Sequence, residues 1–251
     1  MTELTHAEAV PLDDPEMPAV HEQLIVFARE LGELYRLERA RSSELEKVLE
    51  RLQESYLATM KSLAQVIEAK DQTTHGHLER TQAYGIALAR RIDPALVDRP
   101  AVGYGFFLHD IGKVGIPEHI LGKEGPLDAG EWDVMRRHPV LGAQIVAPIS
   151  FLEEAVELIR HHHEWFDGTG YPDRLAGEEI PLEARIFSVA DSFDAMTSDR
   201  PYRRRMELAP ALDEITTGAG TQFDPEVVKV FVEMVEAAPP SDDHRHLRAV
   251  V

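Results

Sequence analysis

Two hydrophobic rhythms divide the chain. Between residues 21 and 70 there is no proline and a single glycine, Gly32, and apolar residues recur among many Glu, Arg and Lys. Leu24, Leu31, Leu45 and Leu52 fall on one seven-residue series, which Glu38 interrupts. Phe27, Leu34 and Val48 fall on the alternate series, which Arg41 interrupts. This pattern predicts a helix with an a/d seam and a polar step in its middle. Glu38 and Arg41, three apart, can pair with each other on a helix. After Leu52 the apolar positions move to Tyr56, Met60, Leu63 and Ile67, a four-residue step that reads as a stutter. The seam predicts a parallel homodimeric coiled coil through residues 24–52. One amphipathic helix lying on its own domain is the alternative.

From about 71 to 237 the spacing stays helical but is cut by short loops. Helices are predicted near 77–92, 98–110, 128–147, 151–163, 182–198, 208–217 and 225–236. Asp128 with Glu131 makes a capping box ahead of Trp132 and Met135. No period-two strand and no repeat interrupts them, and glycine and proline gather in loops such as "GKVGIP" and "DGTGYP". The expected class is all-α. The expected organisation is a flexible acidic N-terminus over 1–20, a coiled-coil or linker helix over 21–70, a helical catalytic domain over 71–237 and a polar tail over 238–251.

Composition narrows the function. The chain has 251 residues, 43% of them hydrophobic, enough for one domain of roughly 150–200 residues and an accessory segment. It has no cysteine, which excludes disulfides, thiolate metal sites and a catalytic thiol. The start lacks a basic region and an apolar stretch of signal-peptide type, and no run approaches the roughly 18 apolar residues of a membrane span. A cytoplasmic protein without a membrane partner is expected. A net charge of −19 argues against a long nucleic acid as partner. A small anionic ligand remains open if metals or arginines concentrate positive charge locally.

Eight of the twelve histidines lie between residues 75 and 163. In "GYGFFLHDIGKVGIP" (103–117) an apolar run leads directly into His109, Asp110 and Lys113. Burying such groups unpaired costs several kcal/mol, so something must compensate them. His77, His138, His161-His162-His163 and Asp191 complete a set of imidazoles and carboxylates suited to Mn, Fe, Zn or Mg. An aspartate has two oxygens and can bridge two ions, so an adjacent His-Asp pair can serve a dinuclear centre. Cations there would neutralise Asp110 and use the imidazoles.

The strings "HDIGK", "HHHEWFDGTGYP" and "VADSFDAMTSDRPYR" resemble the HD-GYP family of metal-dependent phosphohydrolases, a branch of the HD superfamily. The likeness runs in order over roughly residues 60–237. It implies an HD-type helical bundle in which His77, His109, Asp110 and Asp191 gather one metal. Asp110 would bridge to a second, held also by His138, His162 and His163. The implied cofactors are two divalent ions per chain, Fe or Mn first, with Mg, Ni or Zn as alternatives. His75, His119 and His161 match no ligand position and are expected at the surface or behind the ligands, and Glu164 is expected to orient them from behind.

By the same resemblance the substrate is cyclic di-GMP, cut to linear pGpG with GMP as a further product. Lys113, three residues beyond Asp110, would bind a non-bridging phosphate oxygen and stabilise the transition state. Arg200 and Arg203 would grip phosphates with planar forks. Gly170, Tyr171 and Pro172 would border the substrate. Members of the family with three metals carry a glutamate four residues before the first histidine ligand, where this chain has Thr73. A dinuclear site is therefore expected. The helix over 21–70 is similar to linkers that join such modules to receiver or other sensory domains, so a sensory partner is implied. The rival readings are hydrolysis of another cyclic dinucleotide and a cyclic di-GMP sensor with little turnover.

Overall fold

Apolar spacing of three and four residues yields helices throughout, and no strand occurs among the described residues. The structure is a computed structural model that describes residues 17–70, 76–199 and 204–237. The expectations placed on Thr73, His75, Arg200 and Arg203, on residues 1–16 and on the tail from 238 lie outside the described residues.

The first helix, α1 (Met17–Lys70), starts slightly ahead of the expected 21. A boundary between two compact units falls at Leu57 and Ala58. In the first unit the apolar residues of both heptad series are exposed: Leu24, Phe27, Leu31, Leu34, Leu45, Val48 and Leu52. In the second unit the last turns of α1 bury Ala64, Ile67 and Glu68. There the Lys61 ammonium lies over the rings of Tyr104 and Phe107, at 6.0 and 5.2 Å.

The second unit continues with α2 (His77–Ile92), α3 (Pro94–Val97), α4 (Pro100–Leu108) and a 3-10 turn, Ile111–Gly115. It proceeds through α5 (Glu118–Leu121), α6 (Ala129–Met135), α7 (His138–Val146), α8 (Ala155–His161) and α9 (Leu182–Thr197), and ends in α10 (Leu208–Thr217) and α11 (Pro225–Glu236). α2 packs on α4 and α9, α4 on α8, and α8 on α7, while α11 closes over α9 and α2. At their meeting point Phe106 stacks on Phe187 with centroids 5.2 Å apart. Tyr84, Phe193 and Phe231 continue the core edge to face. Leu88, Leu158 and Val189 are fully buried among them. Each such side chain contributes about 1.5–3 kcal/mol relative to exposure.

Three predicted helices are broken: 151–163 divides into a 3-10 turn, Ser150–Leu152, and α8, and the other two breaks shape the site. The span 128–147 is two helices, parted at Arg136-Arg137. Pro139 has no N–H to offer the carbonyl of Met135, so the helix cannot run on and a new one starts around the proline. The span 98–110 ends as an α-helix at Leu108, and the chain re-forms as the 3-10 turn after Asp110. Gly112 in that turn is forced: a Cβ there would collide with the backbone of His138 and Gly142, so only glycine lets the turn dock on α7. The capping box at Asp128 and Glu131 forms as the sequence indicates, and it sets the start of α6.

Candidate metal centre

Three central histidines sit near helix ends, where the last carbonyls lack intrahelical partners. His109 follows α4, and its Nδ1 lies 3.0 Å from the Phe106 carbonyl. His138 Nδ1 lies 2.8 Å from the Met135 carbonyl, the same group that Pro139 cannot serve. His162 Nδ1 lies 2.8 Å from the Ile159 carbonyl. A carbonyl oxygen only accepts, so each of these Nδ1 atoms carries the ring proton and each Nε2 keeps a lone pair. His77, the first residue of α2, reaches the same state through its Nδ1, 2.7 Å from Asp194 Oδ2. Asp194 is fixed in turn by Arg80, whose Nε and Nη2 donate at 2.6 and 3.0 Å.

The four lone pairs point at acceptors. His138 Nε2 lies 3.3 Å from His162 Nε2 and 3.2 Å from Asp110 Oδ1. His109 Nε2 lies 3.2 Å from Asp110 Oδ2, and His77 Nε2 3.3 Å from Asp191 Oδ1. Asp110 Oδ1 is buried and has no hydrogen-bond partner. Acceptors facing acceptors at such distances repel unless cations lie between them, so the donor set fits divalent metals. Candidate ligand atoms fall in two groups, each within 4.8 Å: Asp110, His138, His162 and His163, and His77, His109 and Asp191. Asp110 faces both groups, Oδ1 toward His138 and Oδ2 toward His109. All seven residues expected as ligands are thus brought together.

The electrostatics keep His162, His163 and Asp110 in ligand form. Burial, reinforced by the neighbouring imidazoles, holds His162 and His163 well below the usual histidine range, so both stay neutral. Burial alone would raise the carboxyl of Asp110, but the Lys113 ammonium and then His109 outweigh it and hold Asp110 well below the usual range. Lys113 Nζ lies 2.7 Å from Asp110 Oδ2, on the face the three-residue spacing predicts. Burial also opposes ionisation of Asp194, and the bonds from His77 and Arg80 overcome it.

The DGTGYP loop borders this cluster. The Tyr171 ring stacks on His163 with centroids 4.9 Å apart, and the Tyr171-Pro172 peptide is cis. Gly170 passes against the backbone of Glu164 and Trp165, where a Cβ would clash. Burial pushes the Tyr171 hydroxyl upward, so it stays protonated at neutral pH. Arg136 lies over both Tyr171 and Trp132, 5.7 Å from each ring centroid.

Sequence reasoning missed Arg80, Asp194 and Arg136. The available signal was spacing: Asp194 is three residues beyond Asp191 and Arg80 three beyond His77, each on the same helix face as a ligand. His119 is exposed, as expected. His161 is not at the surface; it is 5% exposed. Glu164 was expected to orient the ligand histidines, but its Oε1 accepts the backbone N–H groups of Asp173 and Arg174 at 2.7 and 3.0 Å, which clamps the loop instead.

A family model described as HD domain matches residues 36–227. The chain is 37% identical over 224 residues to a Vibrio cholerae protein named cyclic di-GMP phosphodiesterase, covering 82% of this chain and 45% of the relative. It is 41% identical over 175 residues to a Pseudomonas aeruginosa cyclic di-GMP phosphodiesterase, 69% of this chain and 42% of that one. It is 33% identical over 214 residues to 3'3'-cGAMP-specific phosphodiesterase 2 of Vibrio cholerae, 84% and 41%. The chain therefore spans less than half the length of these curated relatives. Among solved structures it resembles a cyclic GMP-AMP specific phosphodiesterase of V. cholerae, with a TM-score of 0.57 at 20% identity over 76% of this chain and 50% of that one. That likeness concerns the fold.

Proposed function

Since the chain belongs to the HD domain family, in its HD-GYP branch, we propose that it is a metal-dependent phosphodiesterase that hydrolyses cyclic di-GMP to linear pGpG, with GMP as a slower further product. The observation that carries the reading is the Asp110 carboxylate between two sets of inward lone pairs, one oxygen to each side. His77, His109, Asp110 and Asp191 would hold one cation. Asp110, His138, His162 and His163 would hold the other. Two divalent ions, Fe or Mn first and Mg, Ni or Zn as alternatives, would supply Lewis acidity toward the phosphodiester and ionise water near neutral pH.

The chain's own residues prepare the rest. The Nδ1 bonds of His77, His109, His138 and His162 fix the tautomers, so no imidazole must turn or lose a proton to become a ligand. Lys113, paired with Asp110, offers its ammonium to a non-bridging phosphate oxygen where negative charge grows. Arg200 and Arg203 add forked donors for the phosphates. Tyr171, with Gly170 and Pro172 setting its loop, and Arg136 beside it offer planar groups on which a guanine can stack. Thr73, four residues before His77 in the sequence, carries no carboxylate, which favours two ions and pGpG as main product.

We assign the assembly from the same sequence features: a homodimer through residues 24–52, a sensory or receiver domain as partner, no long nucleic acid, and a cytoplasmic location. No described helix is long and apolar enough to cross a membrane. A second reading, hydrolysis of a mixed cyclic dinucleotide, draws on the relatives named for 3'3'-cGAMP. The test is a chromatographic time course of metal-loaded protein with cyclic di-GMP and with 3'3'-cGAMP separately. Cyclic di-GMP should disappear faster and give pGpG. Faster loss of 3'3'-cGAMP selects the second reading, and binding without loss of either selects the sensor.

A further inference from the structure

Away from the central cluster, His161 presents the same accounting with other partners. It ends α8, is buried, and its Nε2 lies 3.1 Å from Glu157 Oε2. A carboxylate accepts, so the ring proton sits on Nε2 and Nδ1 keeps its lone pair. That Nδ1 has no hydrogen-bond partner. It faces Glu164 Oε1 at 3.7 Å and Asp173 Oδ2 at 3.6 Å. Glu164 is 3% exposed, and its Oε2 has no partner either. Arg160 neutralises Asp173 through Nε and Nη2, at 2.7 and 2.9 Å, but leaves both orphaned atoms unanswered. A second proton on His161 would answer Nδ1 and still leave Glu164 Oε2 buried and bare.

A cation between His161 and Glu164 answers the Nδ1 lone pair and neutralises the buried Glu164 carboxylate. Ligand atoms around a tetrahedral ion with bonds of about 2.0–2.2 Å stand about 3.4 Å apart, close to the separations seen here. The three residues offer atoms within 4.8 Å of one another. The set is one imidazole nitrogen and two carboxylates, and Glu157 backs the imidazole as carboxylates back ligating histidines elsewhere. We propose that His161, Glu164 and Asp173 form a divalent-cation site of the Zn(II) class, separate from the central centre. Its ligands come from the end of α8, from the turn after it and from the residue following Pro172. The ion would therefore tie down both ends of the loop that carries Gly170, Tyr171 and Pro172. The site is structural and does not depend on which reaction the centre performs.

The test is equilibrium dialysis of the full chain against Zn(II), with metal counted per chain in the parent, in Asp173→Asn and in Glu164→Gln. Asp173 is exposed, so its replacement leaves the core intact. The Glu164→Gln side chain keeps an oxygen for the two loop N–H groups, so the clamp survives while the charge goes. Each variant should bind one Zn(II) fewer than the parent, whatever the parent's total. Each should also lose part of the rise in thermal midpoint that Zn(II) gives the parent. Equal counts in parent and variants overturn the proposal. A loss of more than one ion also overturns it, because these residues would then serve the central centre.

Discussion

Asp194 offers the sharpest lever on the centre, because it touches no expected metal position and yet fixes His77. Its side chain is 1% exposed and accepts from His77 at 2.7 Å and from Arg80 at 2.6 and 3.0 Å. Removing one member of a fully buried pair costs about 3–5 kcal/mol, since the partner charge is left uncompensated. Arg80 is 23% exposed, so water recovers part of that loss. Asp194→Ala should therefore destabilise by about 2–3 kcal/mol, a fall in thermal midpoint of about 4–12 °C for a unit of this size. Loss of a group that orients a ligating histidine typically weakens metal binding about 10–100-fold. Asp194→Asn separates the two effects. Its amide oxygen can still accept from His77 Nδ1, so metal affinity should fall less than in Asp194→Ala, while the charge pairing with Arg80 is still lost and stability falls about as far. The assay is competition for Mn(II) with a chelator of known affinity, alongside calorimetry of the metal-free protein. Parental metal affinity in both variants would show that Asp194 does not set the His77 tautomer.

Other consequences can be measured as directly. Asp110→Ala should lose most central metal and abolish turnover, read by elemental analysis and chromatography. Arg136→Ala should raise KM for a cyclic dinucleotide several-fold and leave hydrolysis of bis(p-nitrophenyl) phosphate, which has no base to stack, nearly unchanged. Replacing Leu31 and Leu45 by lysine should weaken the dimer in analytical ultracentrifugation; an unchanged tight dimer moves the interface elsewhere. Thr73→Glu should raise metal content by one ion and shift products toward GMP, and unchanged counts and products refute the role given to Thr73. In metal-free protein His162 and His163 are held below their unfolded value near 6.5, so below that pH the unfolded chain binds more protons and stability falls with falling pH. Asp110 outweighs the burial of His109 and raises its affinity for a proton. His109 therefore adds stability that is complete below pH 6.5 and lost as pH rises. From pH 6.5 to 5.5 the slope thus belongs to His162 and His163, up to about 1.4 kcal/mol per pH unit each. A thermal midpoint that holds or rises over that interval contradicts the assignment.

Much of this was legible because the chemistry sits on regular spacing. An apolar run ending in His109-Asp110 could only be a core helix delivering polar groups inward, and it is one. The capping box at Asp128 marked the start of α6. The break at Pro139 was legible in principle, yet the strong apolar spacing on either side masked it. What spacing cannot show is which polar group answers which. Asp194 and Arg80 come together from helices more than a hundred residues apart in sequence. Likewise, His161 could not be told from a surface histidine until its position against Glu164 and Asp173 was seen. Arg136 was hidden by its neighbour Arg137 and by the unpredicted end of α6.

The central claim is that Asp110 joins two cations in one centre, and electron paramagnetic resonance of protein reconstituted anaerobically with Mn(II) tests it most directly. A carboxylate shared by two Mn(II) ions couples their spins. The parent should show the signal of a coupled pair that rises with turnover of cyclic di-GMP as metal is added, and Asp110→Ala should lose both together. Fully active parent protein whose Mn(II) is wholly uncoupled would contradict the account.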